Sequence, residues 1–180
     1  MSPRTSVPVW SATAPVLPPG AMAWTLFSLA PPTGDTLQRW LHDLRSMPGA
    51  PVDVIEVTPD ALAAWLDALP EWFAQEVDRR VVGWQIAATG AEHAVLALAA
   101  IARKAGLLPS ELVLHAETRS RKRLYCPMCS TITDVADDNA QPLRCAGCGH
   151  ALAMQPHLSR QRGAYLGTLH LASPAEADDA

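Results

Sequence analysis

The sequence predicts an α/β domain built on a small, largely parallel sheet, followed by a cysteine-held zinc ribbon at the C-terminal end. Three observations carry this. Strand-like apolar runs alternate with helical apolar periods through residue 117. Residues 119–123, Arg-Ser-Arg-Lys-Arg, form a basic joint, after which the helical period fades. All four cysteines lie in one window, from Cys126 to Cys148. With 180 residues, 49% of them apolar, the chain can bury the core of one ordinary domain plus a very small one.

The first twenty residues hold five prolines and no period, so they read as an extended arm that Trp10 could anchor. Residues 24–29 alternate and form the first strand. Asp35 or Thr36 can cap a helix with Leu37, Trp40, Leu41 and Leu44 on one face, and Pro48-Gly49 stops it. Residues 52–57 form the second strand. Thr58 then caps a helix with Pro59 in its first turn and Leu62, Trp65, Leu66 and Leu69 inside. Pro70 sits near its end and can begin a second short helix through Val77. Residues 81–88 form the third strand, Thr89-Gly90 a tight turn, and residues 91–105 a helix ended by Gly106. Pro109-Ser110 leads into a fourth strand over 111–117. Residues 156–169 could hold a short helix. The expected organisation is an arm over 1–20, an α/β domain over 21–118, a zinc ribbon over 119–170 and a flexible acidic tail over 171–180.

The cysteines follow C-x2-C-x15-C-x2-C: Cys126, Cys129, Cys145 and Cys148. Two residues between thiols let a tight turn aim both at one point, and two such turns complete a tetrahedron. Gly149 suits the left-handed position after the second pair; Ser130 occupies it after the first. Four thiolates close the coordination shell, so the site reads as structural Zn2+ with no catalytic position. Two disulfides or four free thiols are the plainer alternatives, and iron in a rubredoxin-type site is the main competitor. His150, next to the second pair, reads as a neighbour of the site and not a ligand. His42, His93 and His115 form no triad, and no catalytic residue is assigned.

Fourteen Lys and Arg against eighteen Asp and Glu give a net charge of −4, which disfavours nucleic acid as the main partner. The charge is uneven. Up to Glu117 there are seven cationic and twelve acidic residues; from Thr118 onward there are seven and six. The positive side therefore lies around the ribbon, where an acidic partner surface is a plausible target. The basic joint reads as a solvated linker near the thiolate-rich site. The turn at 88–92 could present N–H groups to phosphate, but a plain strand-to-helix turn reads better. The six tryptophans fit apolar faces. No apolar run approaches the ~18 residues of a membrane span, and the N-terminus carries no signal-like block, so a cytoplasmic protein is expected.

Residues 121–166 resemble the C-terminal domain of the DmmA family, a small subunit of dimethylamine monooxygenase. The resemblance rests on Arg121-Lys122-Arg123-Leu124-Tyr125, the Cys126/Cys129 pair, Cys145-Ala146-Gly147-Cys148-Gly149, and the run from Pro156 to Gly167. Pro156 stands where the family carries aspartate, and Leu158 and Leu166 where it carries an aromatic and a methionine. Residues 84–117 are similar to the last strand-helix-strand unit of ferredoxin-reductase nucleotide domains, with Ala88-Thr89-Gly90 in place of the Cys-Gly-Pro turn. No flavin-binding barrel or glycine-rich dinucleotide loop accompanies it.

The resemblance implies an accessory zinc subunit of a haem-dependent oxidative N-demethylase. Such a complex uses a reduced nicotinamide and oxygen to turn dimethylamine into methylamine and formaldehyde. Haem, flavin, an iron–sulfur centre and tetrahydrofolate are then expected on the partner subunits. His157, Arg160, Arg162 and Tyr165 are the expected contact residues. The alternative is a zinc-ribbon regulator or nucleic-acid binder working through residues 119–123.

Overall fold

The computed structural model describes residues 6–29, 34–47, 49–80, 82–137 and 142–170. Among them the chain runs β1 (Ala23–Leu29), α1 (Thr36–Arg45), β2 (Val52–Val57), α2 (Leu62–Arg79), β3 (Trp84–Ala91), α3 (Glu92–Lys104), a 3-10 turn (Pro109–Glu111) and β4 (Leu112–Thr118). These four strands form a parallel sheet in the order β2-β1-β3-β4. The remaining strands, β5 (Arg121–Tyr125), β6 (Ile132–Ala136), β7 (Leu143–Arg144), β8 (Ala151–Ser159) and β9 (Ala164–Leu169), form a second sheet in the order β6-β5-β9-β8-β7. Its one parallel pair is β5 with β9.

Strand alternation sorts the first sheet's side chains onto two buried faces. Phe27, Leu29, Ile86 and Ala88 face α2 and α3, joining Leu69, Phe73, Val95 and Leu98. Trp24, Leu26 and Ala87 face the opposite side, joining Leu37, Trp40 and Leu44 of α1 and Leu17 of the arm. A parallel sheet covered on both faces explains why every residue of β1 is buried. Phe27, Trp65, Trp72, Phe73 and Trp84 form tilted and edge-on ring contacts with centroids 5.0–6.3 Å apart. The tryptophans are therefore core and not a cofactor box. The arm is held by Trp40, whose indole N–H donates to the Pro15 carbonyl at 2.9 Å, as well as by partly buried Trp10.

Several expectations need correction. Asp35 precedes α1, but its carboxylate accepts from Arg39 at 2.6 Å and caps no backbone N–H. Thr58 does not cap α2; residues 58–61 form a turn, and the helix begins at Leu62. Pro70 does not divide that helix. It removes the donor to the Leu66 carbonyl, yet burial of Leu62, Leu69 and Phe73 on one face keeps eighteen residues helical. Thr89-Gly90 is not a turn: β3 continues through both. A Cβ on Gly90 would stand 1.7 Å from the Leu29 carbonyl oxygen, so glycine is there for close strand approach. Residues 156–169 form the β8–β9 hairpin in place of a helix, because Leu152, Leu158 and Tyr165 supply a strand's burial pattern. The acidic tail at 171–180 and the first five residues of the arm lie outside the described residues.

The two sheets share α3. Its Leu96 packs on Leu158 and Tyr165. At its first turn, fully buried Glu92 accepts from the Tyr165 hydroxyl at 2.7 Å and pairs with Lys122 of β5. Residues 121–123 of the basic joint thus belong to β5, and Lys122 and Arg123 are not solvated linker residues, while Arg119, Ser120 and Arg121 are exposed. Lys122 also faces Asp137 at 3.4 Å, Arg123 faces Asp134 at 3.8 Å, and Arg119 donates to the Trp10 carbonyl.

Candidate metal centre

Two matching turns place the four sulfurs. β5 ends at Tyr125 and delivers Cys126. The Ser130 N–H donates to the Cys126 carbonyl, and the Cys126 N–H to the Thr131 carbonyl, both at 2.9 Å. β7 delivers Cys145 into the same pattern: Gly149 N–H to the Cys145 carbonyl at 2.9 Å, and Cys145 N–H to the His150 carbonyl at 3.0 Å. Ser130 and Gly149 close the two turns with φ of 63° and 72°. The left-handed position expected after each pair is therefore present in both. The Ala146 N–H donates to the Thr133 hydroxyl at 3.1 Å and ties the second turn to β6.

The first cysteine of each pair is buried and the second exposed. Cys126 and Cys145 sit with Leu124, Val135 and Leu152 in a small core of their own. All four Sγ atoms lie within 4.8 Å of one another. Cys126 and Cys148 are 3.7 Å apart, Cys129 and Cys145 3.5 Å. A tetrahedron with metal–sulfur bonds of about 2.3 Å has sulfur–sulfur edges of about 3.8 Å, so the donor set fits one ion. None of the four is in a disulfide.

Their electrostatics point the same way. The Thr131 hydroxyl and amide hold the Cys129 thiol down at about 6. The Cys148 and Gly147 amides lower Cys145. The His150 amide also favours a Cys148 thiolate, yet desolvation and the neighbouring sulfurs push Cys148 up to about 12. Four sulfurs this close cannot all carry charge unaided, and a divalent ion removes that conflict. His150 Nδ1 lies 3.3 Å from the Cys148 sulfur, beside the cluster, in keeping with its reading as a neighbour.

The remaining sequence-selected residues separate into two groups. His157, Arg160 and Arg162 are exposed, on β8 and the β8–β9 turn. Tyr165 is not a surface contact: it is 5% exposed, and its hydroxyl is committed to Glu92, which together with burial raises its pKa. Residues 88–92, the end of β3 and the start of α3, offer nothing to a phosphate, because they are buried and Glu92 itself occupies the start of α3. His93 and His115 stand apart, each with its pKa lowered by burial. Sequence reasoning missed the Glu92–Lys122–Tyr165 network. A lysine inside a basic run and a glutamate at a helix start both look solvated; only the β5–β9 pairing beside α3 buries them.

Comparison with known proteins agrees with this geometry. Residues 123–168 match the family model of the C-terminal domain of dimethylamine monooxygenase subunit DmmA-like proteins. The heme-dependent oxidative N-demethylase delta subunit of Ectopseudomonas mendocina (strain ymp) is 35% identical over 86 residues, 48% of this chain and 48% of that protein. The chain thus spans about half the length of this curated relative. No solved structure matches the chain. The segment that builds the sulfur cluster and the β8–β9 hairpin is thus the part of the chain that is similar to the C-terminal domain of DmmA-like subunits.

Proposed function

We propose that the protein is a non-catalytic, zinc-carrying subunit that docks and assembles a heteromeric oxidative N-demethylase acting on dimethylamine. The observation that carries the reading is the closed set of four sulfurs within 4.8 Å, in the segment that matches the family. A shell filled by four protein ligands leaves no position for substrate or water, so its work is to fix the fold around it. Among the described residues no nucleophile–base pair accompanies it. Haem, which the relative's name implies, belongs on this reading to another subunit, as do the flavin, iron–sulfur and tetrahydrofolate groups that the family resemblance implies. Cys126, Cys129, Cys145 and Cys148 hold the metal, and His157, Arg160 and Arg162 meet partners.

On this reading, residues 1–20 form an arm, 21–118 an α/β domain of ferredoxin-reductase type without its own nucleotide, and 119–170 the zinc ribbon. Four free thiols suit a reducing, cytoplasmic setting. No described helix is long and apolar enough to cross a membrane. The nucleic-acid reading loses its main support, since Lys122 and Arg123 of the basic joint are committed within the fold.

The test is reconstitution. The chain is co-expressed with the haem and reductase subunits of an oxidative N-demethylase, with all four cysteines intact or with Cys126→Ser/Cys145→Ser. Assembly and amine-dependent turnover that require the intact cysteines support the proposal. A complex of unchanged composition and turnover without this chain contradicts it.

A further inference from the structure

The turn at residues 160–163 sits against the middle of α3, over Leu96 and Ala100, and four cations lie on or beside it. Arg103 and Lys104 occupy the last turn of the helix, Arg160 and Arg162 the hairpin turn beside it. The Arg103 guanidinium donates to the Arg160 carbonyl at 3.1 Å, and its pKa is lowered by burial and by the Arg160 charge. Among the described residues none of these four lies within ion-pair distance of a carboxylate, whereas Arg39, Arg79, Arg80, Lys122 and Arg123 all do. The helix C-terminus offsets part of the repulsion but not four charges.

Hollows flank the turn. One, of about 420 Å³, is lined by Lys104, Arg123, Tyr125, Ser130 and Arg162; the other, of about 360 Å³, by Trp10, Arg103, His115, Leu158 and Arg160. No acidic residue lines either. A Cβ on Gly163 would stand 2.2 Å from the Leu96 carbonyl oxygen, so the turn is seated directly on the helix backbone.

We infer that this ridge is a docking surface for an acidic segment of a partner polypeptide, whose Asp and Glu side chains meet Arg160 and Arg162 and are flanked by Arg103 and Lys104. The inference deepens the proposed docking role by giving it a surface and a partner chemistry. Carboxylates match the unpaired guanidiniums, which can bind them with two parallel hydrogen bonds. A nucleic acid is a poorer occupant. The Tyr125 ring, the aromatic lining the larger hollow, already has the Arg162 guanidinium 4.2 Å from its centroid and is not free to stack on a base.

The test measures binding of the metal-loaded full chain to a fluorescein-labelled ten-residue Asp/Glu peptide, at low and physiological salt. The intact protein should bind with an affinity that falls as salt rises. Arg160→Glu/Arg162→Glu should weaken binding by about tenfold or more, and Arg160→Gln/Arg162→Gln by less, at unchanged metal content and melting temperature. Arg39→Glu, reversing a cation away from the ridge, should have little effect. Equal binding by the intact and reversed proteins overturns the inference. So does tighter binding of a single-stranded DNA of matched charge, or displacement of the peptide by millimolar inorganic phosphate, which would indicate a small-anion site. If complex assembly survives the reversal but fails without the cysteines, the docking role stands and only this surface is wrong.

Discussion

At the scale of single residues, the cysteines divide into buried and exposed members, and their removal should follow that division. Cys126→Ser or Cys145→Ser places a hydroxyl in a small apolar core and removes a thiolate ligand. Either should lower metal affinity by well over tenfold and unfold the second sheet; Cys148→Ser should lose affinity with less loss of structure. A competition titration against a chromophoric chelator, with circular dichroism, reads both. Ser130 is the complementary case. It holds a left-handed φ of 63° that costs an L-residue roughly 1–2 kcal/mol, offset in part by its 3.2 Å hydroxyl contact with Tyr125. Ser130→Gly should therefore raise the melting temperature of the metal-loaded protein, and a lowered one would show that the hydroxyl contact dominates. This part of the site was legible beforehand, because C-x2-C spacing dictates local turns and the following position dictates handedness. The buried-versus-exposed division was not, since it depends on Leu124, Val135 and Leu152, which come together only when β5, β6 and β8 assemble.

At the scale of elements, α3 decides how the two sheets meet. Its buried Glu92 has Lys122 and Tyr165 as partners, and Lys122 is only 12% exposed, so solvent screens the pair little. Lys122→Met strands a buried carboxylate and should destabilise by about 3–5 kcal/mol. Glu92→Gln should cost less, because Lys122 keeps Asp137 and the Tyr165 hydroxyl keeps an amide acceptor. Urea unfolding followed by tryptophan fluorescence measures the difference, and equal losses would deny the network its role. The strands and helices of the first sheet were largely readable, since each shows its own period between turn signals. The failures share one cause, tertiary contact overriding local propensity. Pro70 stays helical because its neighbours are buried, and Thr89-Gly90 stays extended because β1 lies against it. The β8–β9 hairpin was hidden because α3 and β5, which pack on and pair with it, are distant in sequence.

At the scale of the whole molecule, the two sheets are stabilised by different means. The first buries a large apolar core on both faces; the second buries a small one around the cysteines, and on the proposed reading the metal supplies the rest. Chelation should therefore abolish the second sheet's structure and leave a cooperative unfolding transition from the first. While both sheets are in place, acid should act in part through the histidines. Desolvation lowers the pKa of both His93 and His115, so the folded form prefers them neutral. Their contribution is fully present above the ordinary histidine pKa of about 6.5 and declines as pH falls below it toward their depressed folded values. Stability measured between pH 8 and pH 5 should drop toward acid, and His115→Gln should flatten part of the drop.

The most direct measurement is metal analysis of the purified full chain, combined with thiol titration by a chromogenic disulfide before and after chelation. One zinc per chain is expected, with four thiols protected until the chelator releases it. Four thiols that react at once with no metal bound, a pair of disulfides, or a metal retained after Cys126→Ser/Cys145→Ser would contradict a four-sulfur clasp.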